Sequence, residues 1–291
     1  MALIHRMKVL LSVLQELGGS LPDSVMQKML FLYCKEFVKR DEYYELIPLA
    51  GKAYSIQAAE DKNSLINRKI LEKSTDWVLI ATKKRFAVDL DFFEKIAIQD
   101  LKNKFAQKND AELDRYISEN YKEYFIKPEY SGDDEIIFYT IGYEGLSPEA
   151  YVNLLLQNKV RLLVDVRKNA FSQKYGFSKA ELSRILSLVG IEYRHIPELG
   201  IDSDKRKTLN SEKEYEDLFR EYEKTTINQQ QVKLDKLQLW LEEARRIAIT
   251  CFEAEQHHCH RSRIAKALKA RNNFFYRIEH LQLCRHLKNH K

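Results

Sequence analysis

Cysteine is scarce: Cys34, Cys251, Cys259 and Cys284 are the only four in 291 residues. Their separations form no disulfide framework, so a reduced, cytoplasmic setting is expected. Long apolar runs are missing as well. No segment approaches the roughly 20 residues that a membrane-spanning helix requires, and residues 1–17 lack a signal-peptide cleavage pattern. No membrane partner is therefore expected. Internal repeats and low-complexity tracts are absent. Charge of one sign is not concentrated either, since 48 basic against 43 acidic side chains leave a formal net charge of +5. That balance permits nucleic-acid binding without requiring it. There is no G-x-x-x-x-G-K-[ST] loop, no G-x-G-x-x-G turn and no H-x-E…P-C-x-x-C pattern, which removes the usual P-loop, dinucleotide and zinc-deaminase sites. What is present, 44% hydrophobic and 31% charged residues, describes a globular chain long enough for two domains of ordinary size.

The first 90 residues read as helices followed by a small hairpin. Apolar residues at helical spacing over 7–14 predict a helix that Gly18-Gly19 stops. A turn at Ser20-Leu21-Pro22-Asp23 leads into a second helix over 25–33, and a third is expected over 54–70. Residues 77–81 and 86–88 are expected to pair as a hairpin, giving a winged-helix-like domain over 1–90. The third helix then serves as a recognition helix with Lys62, Asn67, Arg68 and Lys69. The wing supplies Lys83, Lys84 and Arg85, all as phosphate contacts to DNA, the expected partner. Against this stands a solvated charged face on a protein-interaction domain, because Glu60, Asp61 and Glu72 lie among the bases. Residues 91–134 read as a charged helical linker ending in Pro128 and Ser131-Gly132-Asp133-Asp134.

From residue 135 to 291 strands and helices alternate. Strands are expected at 136–141, 161–166, 192–195, 246–250 and 274–278. Helices are expected at 148–156, 179–188 and 263–268, with a helical insertion over 211–244. Such alternation implies an α/β domain with a mainly parallel sheet flanked by helices, preceded by the smaller helical winged-helix-like domain.

The polar motifs fall at the carboxyl ends of these strands, where open α/β sheets bind ligands. Gly142 permits close backbone approach and Tyr143 is placed to cover a ligand. Asp165 and Arg167, two apart, point to one side and offer an acid beside an anion-binding fork; the structural alternative is an ion pair that fixes the loops. His195 is a candidate base or phosphate contact, with a structural histidine as the alternative. Glu253 is a candidate acid/base if burial raises its pKa. Cys259, at a helix entry, is a candidate nucleophile through a depressed pKa, against the alternative of a packed thiol. His260 and Arg261 in the first helical turn suit an anion. The run from Cys251 to His260 has ligand types but no paired C-x-x-C or H-x-x-x-H spacing, so neither metal nor cofactor is expected.

Two resemblances accompany these motifs. "YTIGYEG" (139–145), "LLVDVRKNAFSQKYGFSKAELSRIL" (162–186), "GIEYRHIPELG" (190–200) and "CFEAEQHHCHRSRIAKAL" (251–268) occur in order. Together they resemble the domain-of-unknown-function 488 family, marked by a TIG-type turn, a DVR motif, an H-x-P-x-L-G motif and a CHR motif. Ala170 departs from the proline common there. "QKMLFLYCKE" (27–36) and "YELIPLAGKAYSIQAAEDKNSLI" (44–66) resemble the N-terminal region of SocA-like antitoxin proteins, which implies a role near defence against foreign DNA. The leading expectation is a nucleic-acid-directed enzyme that hydrolyses an N-glycosidic or phosphodiester bond. In it Asp165 and Glu253 are the acid/base pair and Arg167 and Arg261 hold anionic groups, with Tyr143 and His195 lining the pocket. The competing expectations are a non-catalytic DNA-binding regulator whose α/β domain senses a small anionic ligand or nucleotide, and a thiol enzyme using Cys259.

Overall fold

The computed structural model describes residues 3–38, 43–49, 52–81, 83–122, 134–202 and 211–282. Pro128, Ser131-Gly132-Asp133 and Cys284 lie outside the described residues. The chain divides into two compact units, Met1–Lys127 and Pro128–Lys291.

In the first unit α1 (His5–Glu16) ends at Gly18 and Gly19, whose φ values of 102° and 82° let the chain reverse where a Cβ is disfavoured. Strand β1 (Ser20–Leu21) and α2 (Asp23–Leu32) follow, and α2 runs on into a π-helical turn, Tyr33–Val38. A short antiparallel hairpin, β2 (Ile47–Leu49) with β3 (Lys52–Tyr54), precedes α3 (Ile56–Asn67). The sequence expectation of one helix over 54–70 is trimmed at both ends. Ser55 caps the helix by accepting from the Ala58 N–H, and Lys69 adopts φ 57° just beyond its end.

The expected hairpin between 77–81 and 86–88 does not form. Strand β4 (Trp77–Val78) pairs antiparallel with β1, while Leu79 bridges Leu71 on its other side. With the Glu72 N–H bonded to the Val78 carbonyl and the Leu79 N–H to that of Gly19, both edges of this segment are occupied. Phe86–Asp89 therefore turns as a 3-10 helix, held where the Gln15 side chain donates to the Lys84 carbonyl and accepts from the Phe86 N–H.

Residues assigned to a linker are structural members of the first unit. Helices α4 (Phe92–Phe105) and α5 (Asp110–Asn120) each begin with a capping box, Asp91/Glu94 and Asn109/Glu112. They bury Ile98, Leu101, Phe105, Leu113 and Ile117 in the same core as Leu10, Met26, Phe31 and Trp77. Removing such a face from water is what a charged linker helix lacks the apolar side chains to do.

The second unit is an α/β fold. Its elements are β5 (Ile137–Gly142), α6 (Pro148–Gln157), β6 (Leu162–Asp165), α7 (Lys179–Leu188), β7 (Glu192–His195), α8 (Glu212–Tyr222), α9 (Gln231–Ala244), β8 (Arg246–Cys251), α10 (His260–Lys269) and β9 (Arg277–Leu281). The five strands form one parallel sheet in the order β7-β6-β8-β5-β9. Phe138, Leu162, Val164, Ile247 and Ile249 pack into a core with Phe219, Leu237, Leu241 and Ile264 of α8, α9 and α10. Alternate residues, among them Leu163, Asp165 and Thr250, turn to the opposite face, where the Tyr151 hydroxyl of α6 bonds Thr250 Oγ1 at 2.8 Å. The last strand begins three residues later than the sequence pattern suggests. Phe274 is drawn into the α8–α10 core rather than into the sheet, and pairing starts at Ile137 opposite Arg277.

This order carries the site. The connection leaving β5 passes over β8 to reach β6, while the one leaving β8 passes over β5 to reach β9. Right-handed crossovers place two such connections on opposite faces, so the loops after β5 and β8 part at the carboxyl edge and leave a crevice between them. Among the described residues no helix is long and apolar enough to cross a membrane.

Candidate functional site

Four loops at the carboxyl edge interlock. Asp165, fully buried at the end of β6, accepts from the Arg167 backbone N–H (3.0 Å), Arg167 Nε (2.9 Å to Oδ1) and Arg167 Nη2 (2.5 Å to Oδ2). The Tyr193 hydroxyl of β7 adds a fourth donor at 2.7 Å. Burial, with the Asp165 carboxylate beside it, pushes that hydroxyl well above the ordinary tyrosine value, so it stays a donor. Arg167 spends its remaining Nη1 on the Tyr143 hydroxyl (2.7 Å) and the Phe177 carbonyl (3.0 Å). Tyr143 in turn stacks on Phe177, centroids 4.4 Å apart and planes 9° from parallel.

Each remaining motif grips its neighbour. His195 Nε2 donates to the Arg167 carbonyl at 2.8 Å, and His260 Nε2 donates to the Val166 carbonyl at 3.0 Å. A carbonyl only accepts, which fixes the N–H on Nε2 in both rings. A Cβ on Gly200 would sit 2.1 Å from the Lys168 nitrogen, and one on Gly142 would sit 1.9 Å from the Glu253 carbonyl oxygen. Arg261, 1% exposed, donates through Nη1 to the Glu253 carbonyl and through Nη2 to that of Ala254 at 2.7 Å.

Residues 147–268 match the family model described as Domain of unknown function DUF488. The second unit carries a DUF488 domain. No curated protein and no solved structure matches the chain.

The DUF488 domain brings its motif residues together, yet not in the arrangement expected of an acid/base pocket. Asp165 faces the α6 side of the sheet and has no accessible surface. The Glu253 carboxylate reaches instead to the Cys251 sulfur, Oε2 to Sγ 3.0 Å, at the end of β8 on the α10 side. Arg167 and Arg261 are engaged by protein oxygens, Tyr143 lies under Phe177, and Gly142 abuts backbone rather than a ligand. Cys259 is fully buried, and burial together with the neighbouring Cys251 pushes its thiol well above the ordinary value. The depressed pKa expected at a helix entry is reversed because desolvation outweighs the helix N-terminus. His260 is likewise buried rather than presented to an anion.

An open cavity of about 570 Å³ does lie over the carboxyl ends of β5, β8 and β9, lined by Glu144, Gly145, Leu146, Glu255, Leu281 and their neighbours. Glu144 Oε2 accepts from the Ala254 N–H at 2.9 Å and ties its two walls together. Glu144 and Glu255 were not among the sequence candidates. Both lie inside the quoted motifs, Glu144 in 139–145 and Glu255 in 251–268, beside side chains that look more reactive. Two carboxylates in a lining that also holds two leucines disfavour an anion and favour a ligand that donates hydrogen bonds.

In the first unit the proposed DNA contacts are dispersed. Lys62 is buried, bonded to Asp23 Oδ1 (3.2 Å) and the Thr75 carbonyl (2.5 Å) and seated over the Trp77 ring. Asn67, the last residue of α3, and Lys69 just past it are exposed, and Arg68 is half-buried. Lys83, Lys84 and Arg85 are exposed on the stretch before the 3-10 turn, with Arg85 3.9 Å from Glu16. The turn between Leu71 and Leu79, which does pair antiparallel, holds Glu72, Lys73 and Asp76 and so carries mixed charge. Lys62→Met is expected to lower unfolding stability by about 1–3 kcal/mol, since it strips a buried charged donor from Asp23 and Thr75. The triple change of Lys83, Lys84 and Arg85 to Ala is expected to leave the urea midpoint unmoved. A Lys62→Met midpoint equal to that of the unsubstituted protein overturns the structural assignment.

Proposed function

We propose that the DUF488 domain is a binding module for a small, uncharged ligand rich in N–H donors, of the nucleobase or nucleoside class, and that the protein acts as a ligand-responsive regulator. The observation that carries this reading is the crevice itself, with Glu144 and Glu255 facing a roomy, partly apolar space while the buried arginines are already engaged. Carboxylates accept from the amino and imino edges of bases, and Leu146 and Leu281 suit a ring face. Hydrolysis by an Asp165–Glu253 pair is the weaker reading, because Asp165 already accepts four hydrogen bonds and has no surface to offer a substrate.

Calorimetric titration with free bases, nucleosides and the matching nucleotides tests this. Uncharged ligands are expected to bind, nucleotides more weakly, and Glu255→Gln is expected to reduce affinity by about tenfold or more, the loss of one charged hydrogen bond. Preference for the phosphorylated ligands, or release of bases or nicks from DNA that Asp165→Asn abolishes without unfolding, overturns the proposal.

A further inference from the structure

Cys251 closes β8, Cys259 caps α10 and His260 is the first residue of that helix, so the 252–258 loop returns the chain to where it left the sheet. All three are buried, and their ligating atoms lie within 4.8 Å of one another. His260 Nδ1 stands 3.7 Å from the Cys251 sulfur and 4.0 Å from that of Cys259. A tetrahedral zinc ion, with bonds of about 2.3 Å to sulfur and about 2.0–2.1 Å to nitrogen, separates such a pair by about 3.6 Å. Both sulfur–nitrogen separations lie within a few tenths of an ångström of that value, and the two sulfurs lie within 4.8 Å of each other.

The imidazole is also oriented for the task. Its Nε2–H is committed to the Val166 carbonyl, which leaves the Nδ1 lone pair directed at the two sulfurs. Metal-ligating histidines are held in this manner, with the other ring N–H on a backbone carbonyl or carboxylate. The structure thus supplies two independent signs: a compact ligand set and an imidazole fixed in the ligating tautomer.

We propose that Cys251, Cys259 and His260 Nδ1 bind one zinc ion in the DUF488 domain. Two sulfurs and an imidazole select zinc over magnesium or calcium, which take oxygen ligands. Binding releases the two thiol protons, and the resulting dianionic pair neutralises the dication. The fourth position is left to water, because the Glu253 carboxylate touches the Cys251 sulfur at 3.0 Å but does not come close to all three ligand atoms. The spacing Cys251-x7-Cys259-His260 hides this set from a sequence search. Two ligands are adjacent, and the third is brought to them by the strand–loop–helix turn. The site does not depend on the crevice reading, and either stands if the other fails.

The test uses the full-length chain, stripped with a chelator under reducing conditions and titrated with Co2+ and then Zn2+. A thiolate-to-cobalt charge-transfer band and the visible bands of a tetrahedral centre are expected to saturate at about one equivalent and to be abolished by zinc. Cys251→Ser, Cys259→Ser and His260→Gln are each expected to weaken cobalt affinity by more than about 100-fold, beyond the loss typical of an outer partner. Cys34→Ser/Cys284→Ser is expected to retain the full signal. Circular dichroism of each variant separates lost ligation from lost fold, and Glu253→Gln, which removes none of the three ligands, is expected to keep both the charge-transfer and the visible bands. Absence of the band in the unsubstituted protein, its survival in folded Cys251→Ser/Cys259→Ser, or recovery of a Cys251–Cys259 disulfide in place of metal overturns the site.

Discussion

Arg167→Met is expected to destabilise the DUF488 domain by about 3–5 kcal/mol, the cost of leaving a buried charge without its partner. Asp165 is 0% exposed and would keep only the Tyr193 hydroxyl and the backbone N–H of residue 167. Tyr143 and the Phe177 carbonyl would lose their donor at the same time. Asp165→Asn should cost less, since an amide still accepts from the guanidinium and from Tyr193. Combining the two substitutions is expected to cost less than their sum by about 1–3 kcal/mol, because the second change removes a charge that the first has already stranded. Urea midpoints of the four proteins measure this directly. Strict additivity, or a loss below about 1 kcal/mol for Arg167→Met, would show that the pair does not hold the loops together. Loss of ligand binding without loss of stability would return these residues to the ligand-binding role expected from sequence.

Gly142→Ala is expected to cost about 3 kcal/mol or to prevent folding of the second unit, at or above the upper end of overpacking penalties. The reason is contact with backbone, which cannot rotate away. The added methyl would lie 1.9 Å from the Glu253 carbonyl oxygen, 2.7 Å from its carbon and 2.9 Å from Arg261 Nη1. Relief requires the loops after β5 and β8 to part, breaking the Glu144 N–H bond to the Phe252 carbonyl and the Arg261 bonds behind it. Gly190→Ala is the matched control: it meets no atom within 4 Å and pays only for its φ of 80°, about 1 kcal/mol. Thermal unfolding that ranks the two equally would mean that the β5 and β8 loops are not in close contact.

The α/β half of the fold was legible because its signals are local. Alternation of apolar runs with helical periodicity placed β5 to β8 and α6 within a residue or two, α7 and β7 fell where the pattern put them, and α10 begins three residues earlier than expected. The first unit was harder. The β4 pairing depends on Ser20 and Leu21, more than fifty residues earlier, and nothing in 77–88 announces that both edges are already taken. Helices α4 and α5 looked like a linker because their exposed faces are strongly charged; Ile98, Leu101, Leu113 and Ile117 decide the matter only once a core exists to receive them.

For the site, sequence named side chains at the strand ends, and the structure gathers several of these and buries them. Reactive side chains at strand ends suggested an open pocket, but reactivity and burial are not separable in one dimension. Asp165, Arg167 and Arg261 satisfy one another or the backbone, whereas Glu144 and Glu255, which face the cavity, look ordinary in the sequence. Tyr193 was missed although it stands two residues before His195, on the same face of the sheet as Asp165, where a hydroxyl completes the carboxylate's shell.

The sheet order also governs when this domain comes into being. Strands β5 and β6 are neighbours in the chain but meet only through β8, which pairs with both. During synthesis, then, the first unit has its whole sequence and can fold, while β5 and β6 wait as exposed apolar segments until the chain has grown past Cys251. Long-range parallel pairing is slow, and such a waiting nascent chain is the state most open to aggregation or to a chaperone. The vulnerable interval for this domain therefore lasts from the making of β6 to that of β8, and it closes when a single strand slots in between two that were made before it.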